Sequence, residues 1–286
     1  MTIAMLLTRG LTGSVGKAEG HREPVAEPSN GAAVRLRVLS YNIHKAIGVD
    51  FKFRPERIIE ILAHHNADIV LLQEVDRHAA RSNRLDLASE IARALVYPYR
   101  SVGMNVFRRF GKYGNATLSR FPIGRQRNID LTVAWRKPRG AQHTRVHVPV
   151  GPTAVDVDVF NVHLGLSATE RAVQVQRLLD SPDLKHLTHE QPAIIGGDMN
   201  DWRGLLRGRC FGPFGFHCAT NHSHGNGRSI RTFPSYAPAG GLDKVFYRGP
   251  LNPVSAHGSA LKLARVASDH LPIIVEFELR TPKANS

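Results

Sequence analysis

Five apolar segments of the chain each end in polar side chains suited to metal or phosphate chemistry. The polar ends carry Asn42, Glu74, His163, Asp198 with Asn200, and Asp269 with His270. Buried strands that bring carboxylates, amides and imidazoles to a shared edge build the sites of α/β and sandwich folds. We therefore expect these five ends to converge on one pocket.

Asp198 and Asn200 follow a short apolar segment and the glycine pair Gly196 and Gly197. Two glycines let the backbone turn sharply where the strand leaves the core, so one tight loop can present both polar side chains. This spacing suits a carboxylate base beside an amide that orients a water molecule. A turn closed by side-chain hydrogen bonds gives the same pattern, and the segment alone does not choose between the two.

Glu74 ends the apolar run 69–72. A carboxylate at the mouth of a buried strand needs either a basic side chain or a metal cation as its partner. The first alternative is an ion pair, and Arg77, Arg81 and Arg84 lie close enough in sequence to form it. The second is a hard divalent ion such as Mg²⁺, which accepts one or two carboxylates and keeps several waters.

Asp269 and His270 stand side by side at the entrance of the last apolar segment. Neighbouring residues of an extended segment point to opposite sides, so Asp269 can meet a metal while His270 faces the scissile group. Asp243, at the start of a predicted strand, is the candidate that orients this imidazole, unless it is only a strand-start residue. His163 either donates to a phosphate oxygen or is satisfied by local hydrogen bonds.

Two common phosphate and ester chemistries lack their motifs in this sequence. It contains neither the GxxxxGK pattern of a P-loop nor the Gly-x-Ser-x-Gly pattern of a serine nucleophile. An activated water is the nucleophile that remains.

The elements that must position these residues belong to one domain. The chain has 286 residues, 42% of them hydrophobic, enough for one substantial core. We predict a disordered leader over 1–33, a catalytic domain over 34–280 and a tail over 281–286. Predicted strands cover 34–41, 68–73, 113–119, 141–149, 154–163, 193–197, 243–248 and 271–279. Predicted helices cover 55–65, about 83–95 with Asn83 as the N-cap, and about 169–179. Regular βαβ alternation is missing, which favours two packed sheets flanked by a few helices.

The positive charge is clustered. The chain has a net charge of +14, and the stretch 100–145 holds eleven Lys or Arg residues and one acid, Asp130. A field of one sign attracts anions, so nucleic acids, phospholipid headgroups or an anionic membrane surface are candidate partners. A solubilising surface is the alternative.

The remaining features predict a cytoplasmic protein, most simply a monomer. Cys210 and Cys218 are too few for a disulfide framework. No apolar stretch reaches the roughly 20 residues of a membrane-spanning helix, and the short apolar start is no complete secretion signal.

Taken in order, these segments resemble the endonuclease/exonuclease/phosphatase superfamily, the DNase I-like metal-dependent phosphoesterases. The matching segments are 39–42, 71–74, 113–116, 119–122, 160–164, 197–200, 241–246 and 268–272. The resemblance spans about 34–280, and the joint occurrence in order is far more specific than any single segment.

The resemblance implies a four-layer α/β sandwich, with two mixed β-sheets packed face to face and flanked by helices. It implies that Glu74, supported by Asn42 and Asp269, holds Mg²⁺ or Mn²⁺. Asp198 becomes the general base for water, which Asn200 orients. His163 and His270, the latter backed by Asp243, stabilise the transition state. Asn115 and Arg139 are the expected contacts of the substrate.

The substrate is left open among three hypotheses. The run 43–46 departs from the Asn-Gly-Leu-Arg-like run of abasic-site endonucleases, and the tryptophan-bearing segment of inositol polyphosphate 5-phosphatases is missing. The first hypothesis is a phosphodiesterase acting on nucleic acid or phospholipid. The alternatives are a phosphomonoesterase acting on a sugar or lipid phosphate and, from another class, a non-catalytic anion-binding module.

Overall fold

The computed structural model describes residues 33–221 and 229–281. The predicted leader lies outside the described residues except for Ala33, and the predicted tail does so except for Thr281. Within the described ranges, no helix is long and apolar enough to cross a membrane. Cys210 and Cys218 are both free thiols.

The described chain forms twelve strands and five α-helices. The strands are β1 (Ala33–Asn42), β2 (Ile69–Arg77), β3 (Tyr99–Arg108), β4 (Gly111–Ser119), β5 (Ile123–Asp130), β6 (Gly140–Val150), β7 (Thr153–His163), β8 (Ala193–Asp198), β9 (His217–Cys218), β10 (Asp243–Arg248), β11 (Leu251–Gly258) and β12 (Ile273–Arg280). The helices are α1 (Pro55–His65), α2 (Leu87–Ala94), α3 (Ala168–Asp180), α4 (Pro182–Lys185) and α5 (Ala264–Ala267).

The strands form two six-stranded mixed sheets. The first has the order β11-β12-β1-β2-β4-β3 and the second the order β5-β6-β7-β8-β10-β9. In each sheet one neighbouring pair is parallel, β1 with β2 and β7 with β8, while the other pairs are antiparallel.

The two sheets pack face to face because their facing sides are apolar. Val38 and Leu71 of the first sheet and Val159 and Ile194 of the second are among the fully buried residues of this central core. A second cluster packs α1, α2 and α5 on the outer face of the first sheet, and a third packs α3 and α4 on the second. The predicted four-layer α/β sandwich is therefore confirmed.

The register brings the functional strand ends to one edge of the sandwich. Asn42 pairs with Gln73 in the first sheet, and Asp198 pairs with both His163 and Asp243 in the second. Asn161 joins the two sheets just below this edge. Its Oδ1 accepts a hydrogen bond of 2.8 Å from Gln73 Nε2. A satisfied buried polar contact of this kind fixes how the sheets sit on one another.

The structure corrects the predicted start of α2. Asn83 is not the N-cap, since its φ of 54° places it in the left-handed region. The cap is Asp86, whose carboxylate accepts a hydrogen bond of 3.2 Å from Ser89 N. Either residue type can cap a helix, so residue type alone did not identify the cap.

The four strands that the sequence did not predict, β3, β5, β9 and β11, are the four edge strands of the two sheets. Most residues of β5 are exposed, so it lacks the apolar face on which strand prediction depends. Two of these strands, β3 and β5, hold four of the eleven basic residues of the stretch 100–145. Charged residues at sheet edges also discourage pairing with other chains.

Candidate active site

A cleft of about 520 Å³ opens at the edge where the functional strands end. The predicted residues that line it are Asn42, Glu74, Arg139, His163, Asp198, Asn200, Asp269 and His270. They come from both sheets and from the loops that follow the strands. The structure thus brings together residues that are up to 228 positions apart in the sequence, Asn42 and His270 being the extremes.

Asp198 lies buried at the centre of this group. Its Oδ2 accepts a hydrogen bond of 3.0 Å from Asn42 Nδ2. The same oxygen lies 3.4 Å from His163 Nε2 and 3.7 Å from His270 Nε2. Its Oδ1 accepts a hydrogen bond of 3.0 Å from Asn200 N. These neighbours hold the carboxylate in one orientation against the cleft.

The pKa of Asp198 suits a general base. Burial raises it, the positive charge of His270 lowers it and the negative charge of Asp243 raises it again, with a resulting pKa of about 6. A carboxylate with this pKa is mostly ionised at neutral pH and is a stronger proton acceptor than an ordinary aspartate. Asp198 can therefore take a proton from water.

His270 is held by an acid behind it. Its Nδ1 donates a hydrogen bond of 2.8 Å to Asp243 Oδ2, which also accepts one of 2.5 Å from Thr232 Oγ1. Burial lowers the pKa of His270, but the charges of Asp243 and Asp198 outweigh it and raise the pKa to about 10. At neutral pH the ring is therefore an imidazolium whose Nε2 proton faces Asp198 and the cleft.

The effect of Asp243 on the pKa of His270 can be measured without any substrate. We expect His270 of the metal-free protein to titrate near pH 10 by nuclear magnetic resonance of its ring. The Asp243→Asn variant should titrate at lower pH, because the nearest charge that favours the imidazolium has been removed while the size of the side chain is kept. An unchanged His270 pKa in that variant would contradict the assigned pairing.

Arg139 is a buried cation without an adequate partner. Its side chain lines the cleft, the residue is 7% exposed, and Nε has no hydrogen-bond partner among the described residues. Burial lowers its pKa, while the charges of Asp198 and Glu74 oppose that change. A desolvated guanidinium with an unused donor is suited to a phosphate oxygen.

His163 faces the same side of the cleft as Arg139. Burial, and next the positive charge of Arg139, hold its pKa well below the ordinary value. The ring is therefore neutral and can donate one hydrogen bond.

Glu74 pairs with lysines, not with the nearby arginines that the sequence suggested as ion-pair partners. Its carboxylate contacts the ammonium of Lys45 and lies 4.0 Å from that of Lys137. Arg77 pairs with Asp86 and Arg81 with Asp76. Burial raises the pKa of Glu74, but the charge and hydrogen bond of Lys45 and the charge of Lys137 bring it below its ordinary value.

Two groups of side chains have the donor atoms to hold a metal ion. The carboxylates of Glu74 and Asp269 line the cleft, and oxygen donors of this kind fit Mg²⁺ or Mn²⁺. Asp198, Asp243 and His270 also have ligand atoms within 4.8 Å of one another. In that second group, however, a direct hydrogen bond already joins Asp243 to His270, and a metal there would have to break it. A metal at Glu74 would likewise have to displace the ammonium of Lys45, but Glu74 and Asp269 provide only oxygen donors, which Mg²⁺ and Mn²⁺ prefer, so we take this first group as the candidate metal site.

Asn115 lies next to the main cleft, in a void that shares Glu74, Arg139 and His163 with it. Its Nδ2 donates hydrogen bonds to the carbonyls of Gly140 and Asn161, at 3.2 and 2.9 Å. The side chain lies beside a narrow void of about 10 Å³ that Glu74 and His163 also line. These hydrogen bonds tie β4 to the second sheet, and the contact of Asn115 with substrate stays a prediction.

Some residues of the cleft were not predicted. Among them are Lys45, Arg136, Lys137, Trp202 and Phe233. The ring of Phe233 packs against that of His270, with the two centroids 5.0 Å apart. Lys45 stands only three positions after Asn42, so its place in the run 43–46 was the available signal. The others lie on loops, where no periodic pattern marks a residue that faces a site.

The fold is that of DNase I-like proteins, and the cleft at its edge has the acids and imidazoles typical of a hydrolase. The model of the Endonuclease/Exonuclease/phosphatase family matches residues 39–270, and the chain belongs to this family. Its members are generally hydrolases of phosphoester bonds and typically depend on divalent metals.

Comparison with known proteins agrees with this assignment. The chain is 30% identical over 261 residues to a protein of Escherichia coli strain K12 named uncharacterized protein YbhP, covering 88% of this chain and all of the relative. The fold is shared with the endonuclease/exonuclease/phosphatase from Bacteroides vulgatus, with a TM-score of 0.69, 19% identity, and coverage of 86% of this chain and 99% of the other. Truncated TDP2 of Caenorhabditis elegans has a TM-score of 0.65 and 20% identity, with coverage of 85% and 97%.

Proposed function

We propose that this protein is a metal-dependent phosphodiesterase in which Asp198 activates the attacking water. The observation that carries the proposal is the environment of Asp198. This carboxylate is buried against Asn42, His163 and His270, and it faces a cleft that Glu74 also lines. A base with a raised pKa beside donors for a phosphate group is the arrangement that hydrolysis of a phosphoester needs.

Each side chain of the cleft has one task in this proposal. Asp198 takes the proton of the water, and Asn200 orients that water. Asn200 also steadies the loop that presents the carboxylate, since its Nδ2 donates a hydrogen bond of 3.0 Å to Leu164 O. The imidazolium of His270 and the neutral ring of His163 donate to phosphoryl oxygens. Arg139 would balance the negative charge of the phosphate.

A divalent ion held by Glu74 and Asp269, with Asn42 beside them, would supply Lewis-acid neutralisation of the phosphate charge. Mg²⁺ and Mn²⁺ are the expected ions because the donors are oxygens. The positive field of the chain adds to the recruitment of an anionic substrate.

The exposed rim of the cleft favours a substrate with an apolar or aromatic group beside the phosphate. Leu166 and Trp202 line the cleft and are exposed large hydrophobic residues. The bases of a nucleic acid and the chains of a phospholipid both meet that description, so both classes of diester belong in a substrate screen.

A phosphomonoesterase is the second candidate. The cations of Lys45, Arg136, Lys137 and Arg139 all line the cleft, which favours a phosphate with two negative charges. We still place the diester first, because the exposed apolar side chains of Leu166 and Trp202 at the cleft can accept a second ester group beside the phosphate.

Rates on two matched substrates decide between these candidates. With Mn²⁺ or Mg²⁺ present, we expect the protein to cleave bis-p-nitrophenyl phosphate with a higher kcat/KM than p-nitrophenyl phosphate. The opposite preference would select the monoesterase. Salt-sensitive binding of DNA or anionic vesicles with no turnover of either ester would select the anion-binding module instead.

A further inference from the structure

One ion pair in the cleft lies where the proposed function places a metal. Lys45 Nζ donates a hydrogen bond to Glu74 Oε2. The contact is largely shielded from solvent, since the side chain of Lys45 is 15% exposed and that of Glu74 is 11% exposed. A cation belonging to the chain itself therefore already neutralises the acid that is expected to bind the divalent ion.

Both partners of this pair have uncommon backbone conformations. Lys45 has a φ of 63° and Glu74 a φ of 56°, and His44 and Ala46 on either side of Lys45 also have positive φ. Residues other than glycine seldom adopt this region, and such strain concentrates at functional sites. Glu74 lies within β2 at the point where its pairing with β4 shifts register, so the short turn and this irregularity of β2 both have uncommon backbones where the ammonium meets the carboxylate.

The loop that carries Lys45 is pinned at both ends. Ile43 N donates a hydrogen bond of 3.1 Å to Gln73 O, directly before Glu74. His44 Nδ1 lies 3.0 Å from Ile47 O. Because the backbone is fixed in this way, the pair separates by rotation of the Lys45 or Glu74 side chain and not by movement of the loop.

The ring of Tyr113 offers the displaced ammonium a second favourable position. Lys45 Nζ lies 5.9 Å from the ring centroid, and Lys137 Nζ lies 5.3 Å from it. An ammonium near the face of an aromatic ring is attracted by its electrons. Lys45 is thus already near this ring while it pairs with Glu74, although Lys137 and Arg81, at 5.2 Å, also approach the ring.

We propose that Lys45 is a tethered counter-ion that competes with the divalent metal for Glu74 and so weakens metal binding. This inference rests on the proposed function, in which Glu74 is a metal ligand. Two cations beside one carboxylate repel each other, and the metal must displace the ammonium before it gains the full attraction of Glu74. Without metal, the same ammonium prevents a buried carboxylate from being left unpaired.

Calorimetric titration of the metal-free protein with Mn²⁺ tests this competition directly. We expect Lys45→Met and Lys45→Gln each to bind Mn²⁺ roughly tenfold or more tightly than the parent protein. The matched control is Lys137→Met, which should have a smaller effect because this ammonium lies 4.0 Å from Glu74 and its side chain is 45% exposed. The rise of Tm on adding Mn²⁺ should also be larger in the Lys45 variants.

The Glu74→Gln variant separates failure of this inference from failure of the proposed site. If Glu74→Gln loses Mn²⁺ binding while both Lys45 variants bind as the parent does, or more weakly, only the competition is refuted. If Glu74→Gln keeps the parent affinity, the metal is not at Glu74, and the inference and the proposed metal site fall together.

Discussion

Replacing Asp198 with asparagine should lower kcat on bis-p-nitrophenyl phosphate by about 10²–10⁴-fold, the usual contribution of a positioned general base. Asparagine keeps the size of the side chain but cannot accept a proton from water. KM should change much less, because the proposed role is in the chemical step. Steady-state kinetics at saturating Mn²⁺ would measure both constants.

Asp156→Asn is the matched control for that substitution. Like Asp198→Asn, it removes one negative charge from a strand of the second sheet. Asp156, however, is exposed near the start of β7, whereas His163 of the cleft lies at the other end of that strand. Seven residues of strand place it roughly 23 Å away from the site. The control should retain its kcat, and equal losses in both variants would show that Asp198 acts only through overall charge or folding.

Replacing Arg139 with methionine should separate activity from stability. We expect kcat/KM to fall by about 10²–10³-fold, the scale of losing one preorganised donor to a developing negative charge. The variant should nevertheless have an equal or higher Tm. The guanidinium is buried with an unpartnered Nε, and an apolar side chain of similar length removes that desolvation cost.

Arg139→Lys refines this second prediction. Lysine keeps the charge but loses the planar pair of donors, so it should recover only part of the lost kcat/KM. Arg109→Met serves as the control because Arg109 is exposed on the turn between β3 and β4. An Arg139→Met variant with parent activity would exclude the proposed contact with phosphate.

The interior of the fold could be predicted because its strands are apolar. The eight predicted strands are the eight interior strands of the two sheets, and each ends within a few residues of its predicted bounds. The edge strands β3, β5, β9 and β11 owe their form to hydrogen bonds with a neighbour. Those bonds depend on tertiary structure and leave no period in the sequence.

The contrast between apolar interior strands and irregular segments also explains which residues of the cleft could be predicted. Asp198 and His270 stand next to buried strands, so the strand pattern drew attention to them. Lys45 lies in a short 3-10 turn and Lys137 on a loop, and their approach to Glu74 depends on how these irregular segments are placed by the rest of the fold. Asn115 was chosen from a segment that does belong to the site region, but only the structure shows that its amide is used by backbone carbonyls.

Metal-dependent turnover is the most direct test of the central proposal, which joins Glu74, Asp198 and His270 in one water-activating site. The measurement is the initial rate of bis-p-nitrophenyl phosphate cleavage after chelation and after return of Mn²⁺ or Mg²⁺. We predict that chelation abolishes the rate, that either ion restores it, and that Glu74→Gln stays inactive in both conditions. Turnover that persists without metal, or that Glu74→Gln retains in full, would contradict the proposal.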